Sequence, residues 1–317
     1  MSTLAFQPNP ELSAISIGYK NPDVVLIADK VLPRIPKGAL TFNYTKYSVA
    51  DAYTVPSTKV GRKSDPTMVD FGGVLIPATC EDFGLDDLVP NAEIEAWEAS
   101  AGKTTGIVSP LAKSTSLLTS LIQLDREIRV ANMVFNAANY SAGQQATLSG
   151  TSQWSDFTNS NPVDAIFQGL DSMLVRGNVL TFGQATWTKL RQHPKLVQAI
   201  GGNNASSGAV SRQAVADFFE VKEVIVGAGF VNTAKKGQTP TMARVWGKHA
   251  AALFVSEQLA DADQPTFGFT AGFGDKVAGT FASSKGLRGS TQIRVGESVK
   301  EIIAAQECGY FFQNAVA

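Results

Sequence analysis

Residues 110–136 constrain the fold more than any other stretch. Ser109 is a good N-cap and Pro110 suits the first helical position, where a missing N–H costs nothing. Leu117, Leu121, Leu124, Ile128, Ala131 and Phe135 then follow at intervals of 4, 3, 4, 3 and 4. That spacing predicts one helix with one apolar stripe. Asp125, Arg126, Glu127 and Arg129 fall mostly off the stripe and are expected on the outer face. At 1.5 Å per residue the helix is about 40 Å long, more than a compact core needs, and it reads as a strut.

The segments before the strut also lack a core of their own. Residues 1–40 carry Pro8, Pro10, Pro22, Pro33 and Pro36, too many for a regular helix, yet Val24, Val25, Leu26, Ile27, Val31 and Leu32 need burial. An extended arm lying on a neighbouring molecule is expected. Residues 40–77 read as a long β-hairpin. Phe42 and Tyr44 alternate with polar neighbours, residues 54–67 form a polar tip with Pro56, Lys59, Gly61, Arg62, Lys63 and Pro66, and Phe71, Val74, Leu75 and Ile76 make the return strand. A lone two-stranded finger is marginally stable and needs a partner surface.

After the strut, Pro162 opens a helix with Val163, Ile166, Phe167, Leu170 and Leu174 on one face. A helix over 185–200 is interrupted at Pro194 and closed by Gly201 and Gly202, and Ser211 caps a short helix carrying Val215, Phe218 and Phe219. Strands are expected at about 222–227, 243–255, 291–303 and 308–316, with FGFTAGFG (267–274) as a glycine-aromatic loop. Helices and strands mix without a βαβ rhythm, so the class is α+β.

Charge and chemistry narrow the function. Only 17% of residues are charged, against about 25% in a typical soluble domain. The net charge is −1, so no global basic field exists to hold nucleic acid. Charge is uneven, however. Residues 76–110 hold Glu81, Asp82, Asp86, Asp87, Glu93, Glu95 and Glu98 against Lys103 alone, a net of −6. Such a run is a solvated face or a docking strip for a neighbour's basic loop; Lys59, Arg62 and Lys63 of the hairpin tip are the basic group proposed to meet it.

Enzymatic motifs are scarce. Gly102-Lys103-Thr104 resembles the end of a phosphate-binding P-loop, but the first glycine of that motif is replaced by Trp97 and no buried strand precedes it. His193 and His249, the only histidines, have no nucleophile motif beside them. Cys80 and Cys308 form no CxxC or Cys/His cluster, so no zinc site is read. Trp97, Trp154, Trp187 and Trp246 are spread as core or interface anchors rather than as a base-stacking platform. No catalytic residue, cofactor site or metal site is assigned. The N-terminus shows no secretion signal, and no apolar run reaches the ~18 residues of a membrane span.

Several stretches resemble the major capsid proteins of tailed phages that share the HK97-type fold. VLPRIPKG (31–38) with FNYTKY (42–47) is similar to the end of the N-terminal arm and the start of the extended loop. TLSGTSQWSD (147–156) with SNPVDAI (160–166) is the most specific match. LTFGQATWTKLRQHPKLVQAI (180–200), FFEVKEVIVGAG (218–229) and WGKHAAALF (246–254) are similar to A-domain segments of one branch. The matches run in order from about 30 to 312. The resemblance implies an arm (1–40) and extended loop (41–77) wrapping adjacent subunits. It also implies a P domain (78–177 and 289–317) with spine helix 110–136, and an A domain (178–288). It further implies a non-enzymatic shell protein of the virion, assembled in the bacterial host cytoplasm as pentamers and hexamers. The shell would enclose double-stranded DNA without reading its sequence, with scaffolding, portal and decoration proteins as candidate partners. Some relatives carry an N-terminal scaffolding segment that a protease removes; here the arm begins almost at Met1, so a separate scaffolding protein or none is expected. Lys46, Lys59, Lys63 and Asn314 suit the residue types of the isopeptide crosslink some relatives form, but no motif pins a pair. An encapsulin-type nanocompartment is the alternative within the shell class. A soluble hydrolase or NTPase is the alternative outside it.

Overall fold

The structure, a computed structural model, describes residues 7–18, 26–47, 55–68, 73–101, 108–202, 208–235, 237–256 and 266–317. The expected P-loop-like Gly102-Lys103-Thr104, together with Val24, Val25 and Phe71, lies outside them.

The chain opens with β1 (Gln7–Pro8) and α1 (Pro10–Gly18), then one helical turn, α2 (Ala28–Val31), and β2 (Arg34–Lys37). The hairpin strands β3 (Thr41–Tyr47) and β4 (Gly73–Thr79) follow, and β4 runs through Cys80 into β5 (Glu81–Pro90). Helix α3 (Asn91–Ala101) precedes the long helix α4 (Pro110–Val134). Beyond it come β6 (Gln145–Thr147), α5 (Pro162–Ser172), β7 (Val179–Gly183), α6 (Gln184–Leu190), α7 (Pro194–Gly201) and α8 (Arg212–Phe219). Strands β8 (Glu223–Gly227), β9 (Phe230–Asn232), β10 (Met242–Arg244), β11 (Ala250–Leu253), β12 (Gly268–Ser283), β13 (Ser290–Ile303) and β14 (Gly309–Gln313) complete the chain.

Two five-stranded sheets organise these elements. In the first, the order is β1-β12-β13-β5, with β2 parallel to β12 at its other end. In the second, the order is β6-β14-β11-β7-β8. Helices α1 and α4 cover the first sheet, where Leu12, Leu118, Ile122, Ala278, Ile293 and Val295 form one core. Helices α5 to α8 pack the second sheet around Trp154, Phe182, Trp187, Phe219 and Phe312. The last turns of α4 join the two halves: Val130, Ala131 and Val134 are buried with Trp246, Phe267 and Phe311. Helices, mostly antiparallel strands and no βαβ rhythm make this an α+β fold, as the sequence implies.

Four expectations need correction. The arm is not wholly extended. Asn9 accepts N–H bonds from Glu11 and Leu12 through its side chain, Pro10 takes the first helical position, and α1 packs on the chain's own sheet and long helix. Pro8 precedes the helix and Pro10 occupies its first position, so neither breaks it.

The long helix also buries a different face. Its buried residues are Ser114, Thr115, Leu118, Thr119, Ile122, Arg126, Glu127, Val130, Ala131 and Val134, while Leu117 and Leu121 are 58% and 54% exposed. Arg126 and Glu127, expected outside, lie inside. A count of apolar residues misses a face whose polar members have buried partners, such as Thr119 Oγ1, bonded to the Thr115 carbonyl and Ser16 Oγ.

The third correction is FGFTAGFG, which is the start of β12 and not a loop. Strands on both sides satisfy its backbone, and that outweighs the poor strand propensity of glycine. Fourth, Leu174 lies beyond the end of α5 and is half-exposed. Pairing also crosses the expected 288/289 boundary: β12 and β13 form one long hairpin, whereas β14 joins the second sheet.

Candidate assembly surfaces

Much of the hairpin is exposed. Its strands pair in register from Thr41↔Thr79 to Tyr47↔Gly73. At its base Phe42, Tyr44 and Ala78 pack on a small core of Cys80, Phe269, Ala271 and Ile302. Further out, consecutive residues Val74 and Leu75 are 67% and 63% exposed, so both faces of the return strand present apolar side chains. Lys59, Arg62 and Lys63 are exposed and form no ion pair with another described residue.

The acidic strip divides between two elements. On β5, Glu81 pairs with Lys300 and Asp82 accepts from Ser298 Oγ. Asp86 accepts from Arg294 at 2.6 and 2.7 Å and from Gln292 at 2.7 Å. The Arg294 hydrogen bonds hold the Asp86 carboxyl below its usual range, and Lys300 does the same for Glu81. Asp87 turns the other way and accepts from Ser114 Oγ of α4 at 2.6 Å. On α3, Glu95 lies 3.7 Å from Arg288, while Glu93 has no ion-pair partner among the described residues. Sequence proximity therefore overstated the strip as one surface, because strand and helix present their carboxylates differently.

One polar junction was not legible in the sequence. Glu127 accepts from the backbone N–H groups of Ile27 and Ala28, each at 2.8 Å, and from the Trp246 indole N–H. Burial pushes its carboxyl up, against these three donors. Next to it Arg126 reaches Asp29 at 2.5 Å and Thr270 Oγ1 at 3.1 Å, and burial lowers its pKa. Arg34 pairs with Asp29 and with Glu297, and Arg129 with Glu301 at 3.0 Å. Consecutive buried charges on α4 thus clamp residues 27–34 between both sheets. The only signal for it was a run of charges, which periodicity assigns to solvent.

Neither histidine builds a reactive site. His193 is fully buried, and its Nε2 lies 3.0 Å from Ser160 Oγ, whose own proton goes to the Asp156 carbonyl. Nε2 must therefore donate, and the serine has no base to take its proton. His249 Nδ1 accepts from the Asn314 N–H at 3.0 Å. Among the described residues no cluster of His, Cys, Asp and Glu could hold a metal ion, and no helix is long and apolar enough to cross a membrane.

A projecting finger and exposed apolar side chains on both finger and spine helix leave surface for other chains to cover. Comparison with known proteins identifies the kind of assembly. No protein-family model matches the sequence. The major capsid protein of Pseudomonas phage JBD67 is 44% identical over 319 residues, covering all of both chains. Among solved structures, a phage-related protein from Bordetella bronchiseptica RB50 is similar over 98% of each chain, with 21% identity and a TM-score of 0.75. The capsid of cyanophage P-SCSP1u is similar over 93% of this chain and 90% of the other, with 8% identity and a TM-score of 0.58. The fold is that of HK97-type phage capsid proteins. The chain belongs to the family of phage major capsid proteins. It is a structural component of the virion shell, not an enzyme, and it acts as a homo-oligomer.

Proposed function

We propose that copies of this chain assemble in the host cytoplasm into pentamers and hexamers, and that these close into an icosahedral head around double-stranded DNA. Each hairpin (41–77) is buried on a neighbouring copy. The observation that carries this reading is a pair of unburied apolar surfaces in one chain, Val74 and Leu75 on the finger and Leu117 and Leu121 on the spine helix. Isolated exposed leucines need no explanation, but two such sets on a rigid rod and on a hairpin that cannot stand alone do. A second copy covers both at once. We also read the β5 carboxylates Glu81, Asp82 and Asp86, without the inward-bonded Asp87, as the seat for the neighbour's Lys59, Arg62 and Lys63. Each carboxylate offers about four acceptor sites, and internal partners use only one to three of them.

The A domain, taken as the second sheet with α5 to α8, and the P domain, taken as the first sheet with α1 and α4, then serve as the two ends of a plate-like subunit. The near-neutral charge suits plates packed edge to edge and gives no tight grip on DNA. Scaffolding, portal and decoration proteins are the further partners this role calls for. Electron microscopy of the purified protein tests the reading: closed shells are expected, and monomers persisting under all conditions refute it. Reversing Lys59, Arg62 and Lys63 to Glu tests the charge pairing. Shell yield should fall most at low salt, where exposed charges are least screened; unchanged yield at low and high salt refutes the pairing.

A further inference from the structure

The β12–β13 hairpin ends in a tip whose construction exceeds what a turn requires. Leu287 stands at its apex, fully exposed, with Lys285 and Arg288 beside it. Gly286 (φ 86°) and Gly289 (φ 74°) occupy the left-handed region on either side, which favours glycine. The loop is tied down throughout. Ser290 Oγ donates to the Lys285 carbonyl at 2.8 Å, and Gly289 N–H donates to the Gly286 carbonyl at 3.3 Å. From α3, Asn91 Nδ2 donates to the Arg288 carbonyl at 3.1 Å and Asn91 N–H to the Gly289 carbonyl at 3.2 Å. A leucine on a loose loop can fold back onto the surface, but one on this tip cannot.

The same clamp sets α3 against the tip, and α3 presents Glu93, Glu95 and Glu98 to solvent. Only Glu95 meets a cation, Arg288, at a loose 3.7 Å with both side chains more than 60% exposed. Lys285, Glu93 and Glu98 form no ion pair with another described residue. One corner of the subunit thus carries a cationic lobe, an anionic lobe and an apolar knob, all on rigid supports. Unlike signs side by side in one chain make the corner complementary to a copy of itself.

We infer that this corner is a contact between copies: the Lys285/Arg288 tip of one chain sits on the α3 carboxylates of another, with Leu287 buried between them. The inference rests on the shell reading and adds a second joint, independent of the finger. The contact is isologous, each tip resting on the other chain's α3, and a twofold joint of this kind links neighbouring subunits of a shell. Opposed lobes fix register and exclude like-charged approaches.

Two charge variants test it. K285E/R288E makes both lobes negative, and E93K/E95K/E98K makes both positive. Each alone should fold with an unchanged melting profile and assemble about tenfold less well than the parent, whereas an equimolar mixture should regain most of the shell yield. Rescue on mixing arises only from pairing between chains, because the two variants share no chain. Yield unchanged in the separate variants, or a mixture no better than they are, overturns the inference. Should the triple variant misfold, L287S decides alone: the critical assembly concentration should rise about tenfold with the melting profile intact, and an unshifted concentration overturns the inference. Failure of the parent protein to form shells would count against the shell reading itself and is seen without any variant.

Discussion

Glu127 offers the sharpest test of how the subunit holds together. Replacing it with Ala removes the acceptor for three donors at once: the N–H groups of Ile27 and Ala28 and the indole of Trp246, which is itself fully buried. A buried donor left without a partner costs about 1–3 kcal/mol, so three give roughly 3–9 kcal/mol if water does not reach them. Relief from burying a carboxylate offsets part of this, since desolvation already works against Glu127. A net loss of about 3 kcal/mol is expected. For a chain of this size that corresponds to a fall in Tm of roughly 4–6 °C. Glu127→Gln keeps the shape, but its carbonyl serves at most two donors and its amide faces the third, so a loss of about 1–2 kcal/mol is expected. Calorimetry of the unassembled subunit measures the difference, and hydrogen exchange reports where it arises. The amides of Ile27 and Ala28 should exchange faster in both variants, while those of α5 should not. A Tm for Glu127→Ala within about 1 °C of the parent, with Ile27 and Ala28 still protected, would refute the clamp.

Three other outcomes follow from the same structure. Leu117→Ser with Leu121→Ser should cost the subunit only about 1–2 kcal/mol, because more than half of each side chain is exposed, yet should reduce shell yield; a larger loss of stability would show instead that the leucines are packed within the subunit. Burial lowers the pKa of His193 and His249 from the ordinary 6.5, so the unfolded chain binds protons that the folded chain does not. Stability is then full above about pH 7 and falls as pH drops below 6.5 toward the depressed folded values, by up to roughly 1.4 kcal/mol per pH unit for each imidazole. Chemical denaturation at pH 7.5, 6 and 5 should show that decline, and an equal midpoint at all three would contradict it. Gly227→Ala should cost at least about 3 kcal/mol in thermal unfolding, since an added Cβ would overlap the buried Trp246 ring and the strand has no room to retreat.

Elements with local punctuation were legible in the sequence. The helix at 110 was readable because Pro110 marks its start, although Ser109 makes no side-chain cap bond there. Pro194 separated α6 from α7, and Ser211 caps α8 through the Ala214 N–H at 3.1 Å. What escaped depends on distant partners. Nothing near Arg126 says that Asp29 and Thr270 will meet it, and nothing near Glu127 announces the ends of an arm a hundred residues earlier. The spine helix had two rival stripes, and tertiary contacts chose the one richer in polar side chains. At the candidate surfaces, the basic tip was read correctly as exposed, but the acidic strip was split by a strand-to-helix change at Asn91 that charge counting cannot see.

The place of β14 has a consequence for timing. It lies between β6 and β11, and β13 likewise lies between β12 and β5. Both sheets therefore receive an interior strand from residues 290–313, after every flanking strand has been synthesised. A nascent or truncated chain lacking those residues has two open gaps and no finished surface to offer. Phe311 and Phe312 are also missing from its cores. Closure of both sheets therefore waits on translation through residue 313.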